Sequence, residues 1–285
     1  MPDLVWSQIL NELDFKTIQN LRKVSKSLRG FIDDVKPDSR LLEITVEPKN
    51  LEIRYKNSYQ EYIVQYQNFE DRAIEDLELI LRNQKSTLES FFIGKSSMEF
   101  LENLKKKILE SRRSRLKVQE LIMETHNQEE IMEILPFLDI LELRIFDTEE
   151  NPRTLKIDVI SNLEHWSKIK EISIEGCFIS NLDLKSFENF QKVSVDLKTI
   201  EVKDVMELKR VLLQSPNFEK FTLFYTEFQD LQDFFKILGP SESDFCGHKE
   251  SWFFEIPNSK DFLKLDHLDF KQSKLIFSRV SNNFL

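Results

Sequence analysis

Met1 to Asp33 reads MPDLVWSQILNELDFKTIQNLRKVSKSLRGFID, and its spacing predicts three short helices. Pro2 stands where a helix begins, since its missing N–H costs nothing in a first turn. Val5, Ile9 and Leu13 recur at spacing four with Trp6 and Leu10 beside them, which makes a wide apolar stripe. Asp14 is placed to cap a second helix whose apolar positions are Ile18, Leu21 and Val24. Ser25 is placed to cap a third, carrying Leu28, Phe31 and Ile32. Asp33-Asp34-Val35-Lys36-Pro37 ends the run, because a proline biases its predecessor away from helix. A unit this small is marginal alone, and its surplus apolar face must meet either the rest of the chain or a partner.

The whole chain has 285 residues, enough to bury a core as one large domain or two modest ones. Its net charge of −10 argues against a surface that binds nucleic acid or an acidic membrane. Phe is common (24 residues) and Gly scarce (5), which fits packed helices and strands with few tight backbone approaches. No apolar run reaches the roughly 20 residues of a membrane helix, and the N-terminus lacks the pattern of a signal peptide. With Cys177 and Cys246 alone and no Asn-x-Ser/Thr triplet, neither a disulfide framework nor secretion is expected. The expected location is intracellular, cytoplasmic or nuclear.

Residues 1–36 resemble an F-box. That pattern runs Leu-Pro, an apolar pair about seven residues on, a Leu, an acidic or Ser cap, a Leu-rich second helix, then Val-[Cys/Ser]-[Lys/Arg]-x-[Trp/Leu]. Here Met1-Pro2 answers the first element, Ile9-Leu10 and Leu13 the first helix, Asp14 the cap, and Ile18 and Leu21 the second helix. Val24-Ser25-Lys26-Ser27-Leu28 answers the closing motif. Met1 replaces a Leu, and Leu28 stands where many members have Trp. The resemblance implies a helical partner, the Skp-type adaptor subunit of a cullin–RING ubiquitin ligase. The interface anchors would come from Pro2, Val5, Ile9, Leu10, Leu13, Leu21, Val24 and Leu28, some of which must instead hold the three helices together.

Residues 37–115 change period. Leu42, Ile44 and Val46, then Leu51, Ile53 and Tyr55, then Tyr62, Val64 and Tyr66 alternate, which predicts a small antiparallel meander. Helical spacing returns over Glu70–Lys85 and over Ser97–Glu110. Lys105-Lys106-Lys107 and Arg112-Arg113-Ser114-Arg115-Leu116-Lys117 form a basic patch in an acidic chain. Such a patch serves as a nuclear-import address, as a docking site for an acidic partner or nucleic acid, or as a solvated helix end where cations suit the macrodipole.

From residue 116 to 285 an apolar-x-x-apolar-x-apolar pattern returns as Val118/Leu121/Met123, Leu138/Leu141/Leu143, Ile169/Ile172/Ile174, Phe190/Val193/Val195, Phe218/Phe221/Leu223 and Leu265/Leu268/Phe270. Trp252–Phe254 suggests a further strand. That spacing is the strand signature of leucine-rich repeats, in which strand-plus-helix units stack and leave one row of strands exposed. The Asn or Cys ladder of a regular repeat is missing, so an unrelated α/β domain is the alternative. The arrangement nevertheless resembles the FTH domain that follows the F-box in a large nematode family of adaptors. The resemblance is carried by Phe31–Ser39, Tyr66–Ala73, Ile134-Leu135-Pro136-Phe137-Leu138 and His165–Glu171, and it implies a protein-binding domain without known chemistry.

No catalytic machinery is expected. The glycines at 30, 94, 176, 239 and 247 are too far apart for a phosphate-binding loop. No zinc-protease pattern joins His126, His165, His248 and His267, and Cys246-Gly247-His248 lacks a second Cys for a metal. Cys177 reads better as a small buried apolar residue than as a nucleophile. The expectation is thus a mixed α/β chain: a three-helix F-box, a β-meander with helices, and a leucine-rich-repeat-like strand/helix solenoid. It would act as a substrate-recognition adaptor for an unknown target protein, with no cofactor, metal, membrane or nucleic acid. The alternative is a non-ligase interaction scaffold, with a degenerate F-box, that uses its basic segment in the nucleus.

Overall fold

The computed structural model describes residues 3–67, 69–110, 112–180, 184–244, 248–269 and 273–281. The fold is mixed α/β, with helices at the N-terminus and extensive sheet after them, divided into two compact units. The first unit comprises Met1–Met123 with Glu129–Ile140, and the second Glu124–Gln128 with Leu141–Leu285.

In the first unit, helices α1 (Asp3–Glu12), α2 (Phe15–Val24) and α3 (Lys26–Val35) come first. The caps are the ones the local sequence predicts. Asp14 accepts a hydrogen bond from the Thr17 amide at 2.9 Å, and Ser25 Oγ accepts one from the Leu28 amide at 3.1 Å. Lys36 closes α3 in the left-handed conformation, its amide donating to the Ile32 carbonyl, and Pro37 follows. The meander is β1 (Glu43–Glu47), β2 (Glu52–Lys56) and β3 (Glu61–Gln65). It leads through α4 (Phe69–Arg82) to β4 (Leu88–Ile93), α5 (Met98–Leu104), β5 (Leu116–Glu124) and α6 (Gln128–Ile134). The strands lie in the order β5-β4-β1-β2-β3. β5, β4 and β1 are parallel, and β1, β2 and β3 antiparallel. Of these elements β4 is unanticipated, because Phe91-Phe92-Ile93 is a continuous apolar run that hides the two-residue period.

In the second unit, strands β6 (Leu138–Phe146, of which Leu141 onward belongs to this unit), β7 (Arg153–Leu155), β8 (Glu171–Ile179) and β9 (Lys192–Glu201) precede α7 (Val202–Gln214), β10 (Lys220–Gln229) and α8 (Leu231–Leu238). Then come β11 (Glu242–Ser243), β12 (Lys249–Glu255), β13 (Asp261–Leu268) and β14 (Lys274–Ser281). The sheet order is β6-β8-β9-β10-β14-β13-β12-β11, with β7 beside β8. β6, β8, β9 and β10 run parallel in chain order, while the last strands return antiparallel.

The repeated spacing finds β8, β9 and β10 correctly, with Ile172 and Ile174, Val193 and Val195, and Phe221 and Leu223 all buried. It fails in β6, where Leu138, Ile140, Leu143 and Ile145 point inward while Leu141 lies on the other face, 45% exposed. It is also misplaced in β13: Leu263, Leu265 and His267 are the inward set, and Phe270 lies outside the described residues.

One face of this sheet is covered. α7 buries Val205, Leu208 and Leu212, and its Lys209 ammonium lies 3.5 Å from the centre of the Phe254 ring on β12. Phe234 of α8 packs against Trp252 and His267, and Trp166 against Phe187 and Phe190. Gly176 is required by backbone geometry. Its φ is +70°, a Cβ there would stand 2.2 Å from the Asp147 carbonyl oxygen, and β8 shifts register against β9 at this point.

Candidate functional site

The N-terminal helices have an inside and an outside. Leu10, Ile18 and Ile32, each at most 3% exposed, form the shared core, with Leu13, Leu21, Leu28, Phe31 and Val35 packed half-buried around it. An ion pair between Arg22 and Asp33 at 2.8 Å ties α2 to α3. Once that core is complete, apolar side chains are left over. Val5 and Ile9, one turn apart on α1, are 37% and 36% exposed, while Leu4 is 73% and Val24 71% exposed. The eight residues expected at the interface therefore separate. Val5, Ile9 and Val24 face outward, Leu10 is sealed in the core, and Leu13, Leu21 and Leu28 pack against it. Pro2 lies outside the described residues. Leu4 is the residue that the sequence reading missed. Its signal was an apolar residue on α1 outside the stripe that Leu10 and Leu13 already fill.

The outward face stands on a fixed mount. Phe15 at the start of α2 meets Tyr55 of β2 edge-on at 5.5 Å, and Tyr55 packs on Tyr62 of β3 at 5.2 Å. Tyr62 donates its hydroxyl to Asp14 at 3.4 Å, and the Lys16 ammonium lies 5.0 Å over the Tyr62 ring. Burial works to raise the Asp14 carboxyl, but hydrogen bonds from Thr17, from Tyr62 and from the Lys16 amide outweigh it and hold the group below the usual carboxylate range. The chain leaving α3 is tied down as well. Asp38 accepts from the Lys85 and Ser86 amides, Ser39 Oγ donates to the Ile80 carbonyl, and the Gln84 side chain pairs with both backbone groups of Leu41.

The basic segment is partly structural. Lys105 pairs with Glu133 at 2.5 Å, and the half-buried Arg112 guanidinium donates to the carbonyls of Leu81 and Gln84, capping the end of α4. Lys107, Arg113, Arg115 and Lys117 remain exposed.

Cys177 is buried, and its thiol is pushed up to about 12 by burial and then by Asp147 and Asp196. Cys246 and Gly247 lie outside the described residues. His267 is buried, with Tyr225 Oη 2.6 Å from its Nε2. Among the described residues, no group of three or more His, Cys, Asp or Glu side chains is arranged to hold a metal ion, and no helix is long and apolar enough to cross a membrane.

Compared with known families, residues 1–40 match the F-box domain and residues 98–241 match the FTH domain. No curated protein and no solved structure matches the chain. An F-box implies an adaptor that binds a Skp-type subunit, and both domains are typically interaction modules. With the FTH match alone covering half of its length and an F-box ahead of it, this chain belongs to the F-box proteins that carry an FTH domain.

Proposed function

We propose that this protein is an intracellular substrate-recognition adaptor of a Skp–cullin–F-box ubiquitin ligase. In this reading residues 1–36 dock on the Skp-type subunit, 37–115 form the platform beneath them, and 116–285 form a solenoid-like domain that holds a target. The supporting observation is the apolar surface of Leu4, Val5, Ile9 and Val24, left outside a helical core that is already complete. Interfaces concentrate their energy in a few buried anchors, each costing about 2 kcal/mol or more when truncated. Leu10 then acts from behind, by fixing the helices, while Leu13, Leu21 and Leu28 can serve both the core and the interface.

The chemistry would be proximity alone. The target's lysines meet the ubiquitin-loaded enzyme at high effective concentration, and no side chain of this chain forms a covalent bond. The test is association of the purified full chain with a Skp-type subunit. Wild type should co-elute with it, and V5D/I9D should weaken the affinity by at least about 100-fold, since charge replaces two anchors. If wild type binds no such subunit, the adaptor reading fails, and the scaffold with a degenerate F-box takes its place.

A further inference from the structure

The face of the second unit's sheet opposite α7 and α8 gathers cations that lie far apart in the sequence. By register, Glu171, Lys192, Lys220, Ser278, Lys264 and Phe253 form one lateral row across β8, β9, β10, β14, β13 and β12. Four residues along the strands, a parallel row holds Asp196, Phe224, Lys274, Leu268 and Lys249. Between them lie Thr222, Ile276 and Asp266.

Lys192 and Lys220 stand directly opposite each other on neighbouring strands, and Lys192 is paired with Glu171 at 2.6 Å and lies 3.8 Å from Glu219. Lys249 and Lys264 both reach the single carboxylate of Asp266, at 3.1 Å each, so one positive charge is left over. Lys220 and Lys274 make no ion pair among the described residues. Lys274 lies 5.5 Å from the centre of the Phe224 ring, and Lys264 lies 5.7 Å from that of Phe253. A 620 Å³ cleft lined by Lys192, Lys220, Ser278 and Arg279 together with Glu219 and Asp261 opens at one end of the lysine row, with Arg279 paired to Asp261 at 2.8 Å. A chain of net charge −10 thus gathers five lysines, mixed with aromatic rings, on the face opposite α7 and α8; with Glu171 answering Lys192 and Asp266 answering one of Lys249 and Lys264, three positive charges are left over.

We propose that this face binds an acidic, Asp- and Glu-bearing segment of the target protein, with apolar side chains of that segment on Phe224, Ile276 and Phe253. The partner's role as a target rests on the adaptor reading above, whereas the charge chemistry of the face stands without it. The cations of the two rows are all lysine. A compact phosphate is better met by the fork of arginine, whereas point charges spread over several strands suit carboxylates spread along a chain. Glu142, Glu171 and Glu175 on the β6–β8 side bound the cationic area and confine an acidic ligand to a short segment over β9, β10, β14, β13 and β12. Such a field also speeds encounter and orients the partner as it arrives.

The test uses the full chain and a fluorescently labelled glutamate–leucine peptide, followed by anisotropy. Wild type should bind with an affinity that falls as salt rises. K220E/K274E should weaken binding at least about tenfold and K220Q/K274Q less, with melting temperatures kept, because neither lysine is in an ion pair among the described residues. V5D/I9D should bind the peptide as wild type does. No wild-type binding, or equal binding by folded K220E/K274E, overturns the proposal. Tighter lysine-dependent binding of an oligonucleotide or of a phosphoserine peptide overturns the carboxylate assignment. Wild type that binds the peptide but no Skp-type subunit upholds the face and sinks only the adaptor role.

Discussion

Asp14 occupies the corner between α1 and α2 and is in contact with both the helix it caps and the sheet below. Its carboxylate accepts from the Thr17 amide and hydroxyl and from Tyr62, so replacing it removes a cap and a tether together. Asp14→Ala should cost about 1 kcal/mol in urea unfolding, the ordinary value of a lost N-cap. Asp14→Asn keeps a capping oxygen and isolates the charge. Because the folded carboxyl is held below its unfolded value of about 3.9, the ionised form contributes stability that is present above that pH and lost as pH falls through the folded value. The stability gap between wild type and Asp14→Asn should therefore be flat near neutrality and close as pH drops below about 4, and a gap that widened in acid would contradict this sign. Asp14 and Ser25 are legible as caps because a cap depends on residues two or three positions away. Arg112 is not: its carbonyl partners, Leu81 and Gln84, lie 31 and 28 positions away, so in the sequence it joins the basic patch.

At the scale of elements, α1 decides the functional reading because it is apolar on more sides than the core needs. Leu10 and Ile9 are adjacent in sequence and opposite in consequence. Leu10→Ala should destabilise the protein by about 2–5 kcal/mol, as cavities in packed cores do. V5D/I9D should change stability by only about 0.5 kcal/mol while removing the partner's foothold. Thermal melts of the two variants beside a Skp-subunit binding assay check this division, and a melting point for V5D/I9D as low as that of Leu10→Ala would place those side chains in the core instead.

Periodicity alone gives the existence of three helices but not which turn faces in, since Val5, Ile9 and Leu13 fit a stripe as well as Trp6, Leu10 and Leu13 do. Among the strands, β8, β9 and β10 are legible because each enters from an apolar anchor (Ile169, Phe190, Phe218) and then alternates. β14, written Lys274-Leu275-Ile276-Phe277-Ser278, escapes because Ile276 on the open face breaks the alternation. The lysine rows are invisible in sequence for a stronger reason: they are a product of strand register across β9, β10, β14, β13 and β12.

For the molecule as a whole, the adaptor reading makes the chain a bridge, and a bridge has a concentration dependence that an enzyme lacks. With a fixed amount of Skp-type subunit and of a reporter carrying the glutamate–leucine peptide, each adaptor molecule joins one of each while adaptor is scarce. When adaptor exceeds both, separate molecules occupy the subunit and the reporter, and fewer pairs are joined. Energy transfer between the two labelled partners should therefore rise, pass through a maximum and fall as the full chain is titrated. V5D/I9D and K220E/K274E, each with one end weakened, should give a much smaller rise. Added to a wild-type reaction at its maximum, each variant should lower the signal, the first by sequestering the reporter and the second by occupying the subunit. A signal that climbs to a plateau and stays there would show that the two binding events occur on one preassembled complex and not through a freely exchanging bridge.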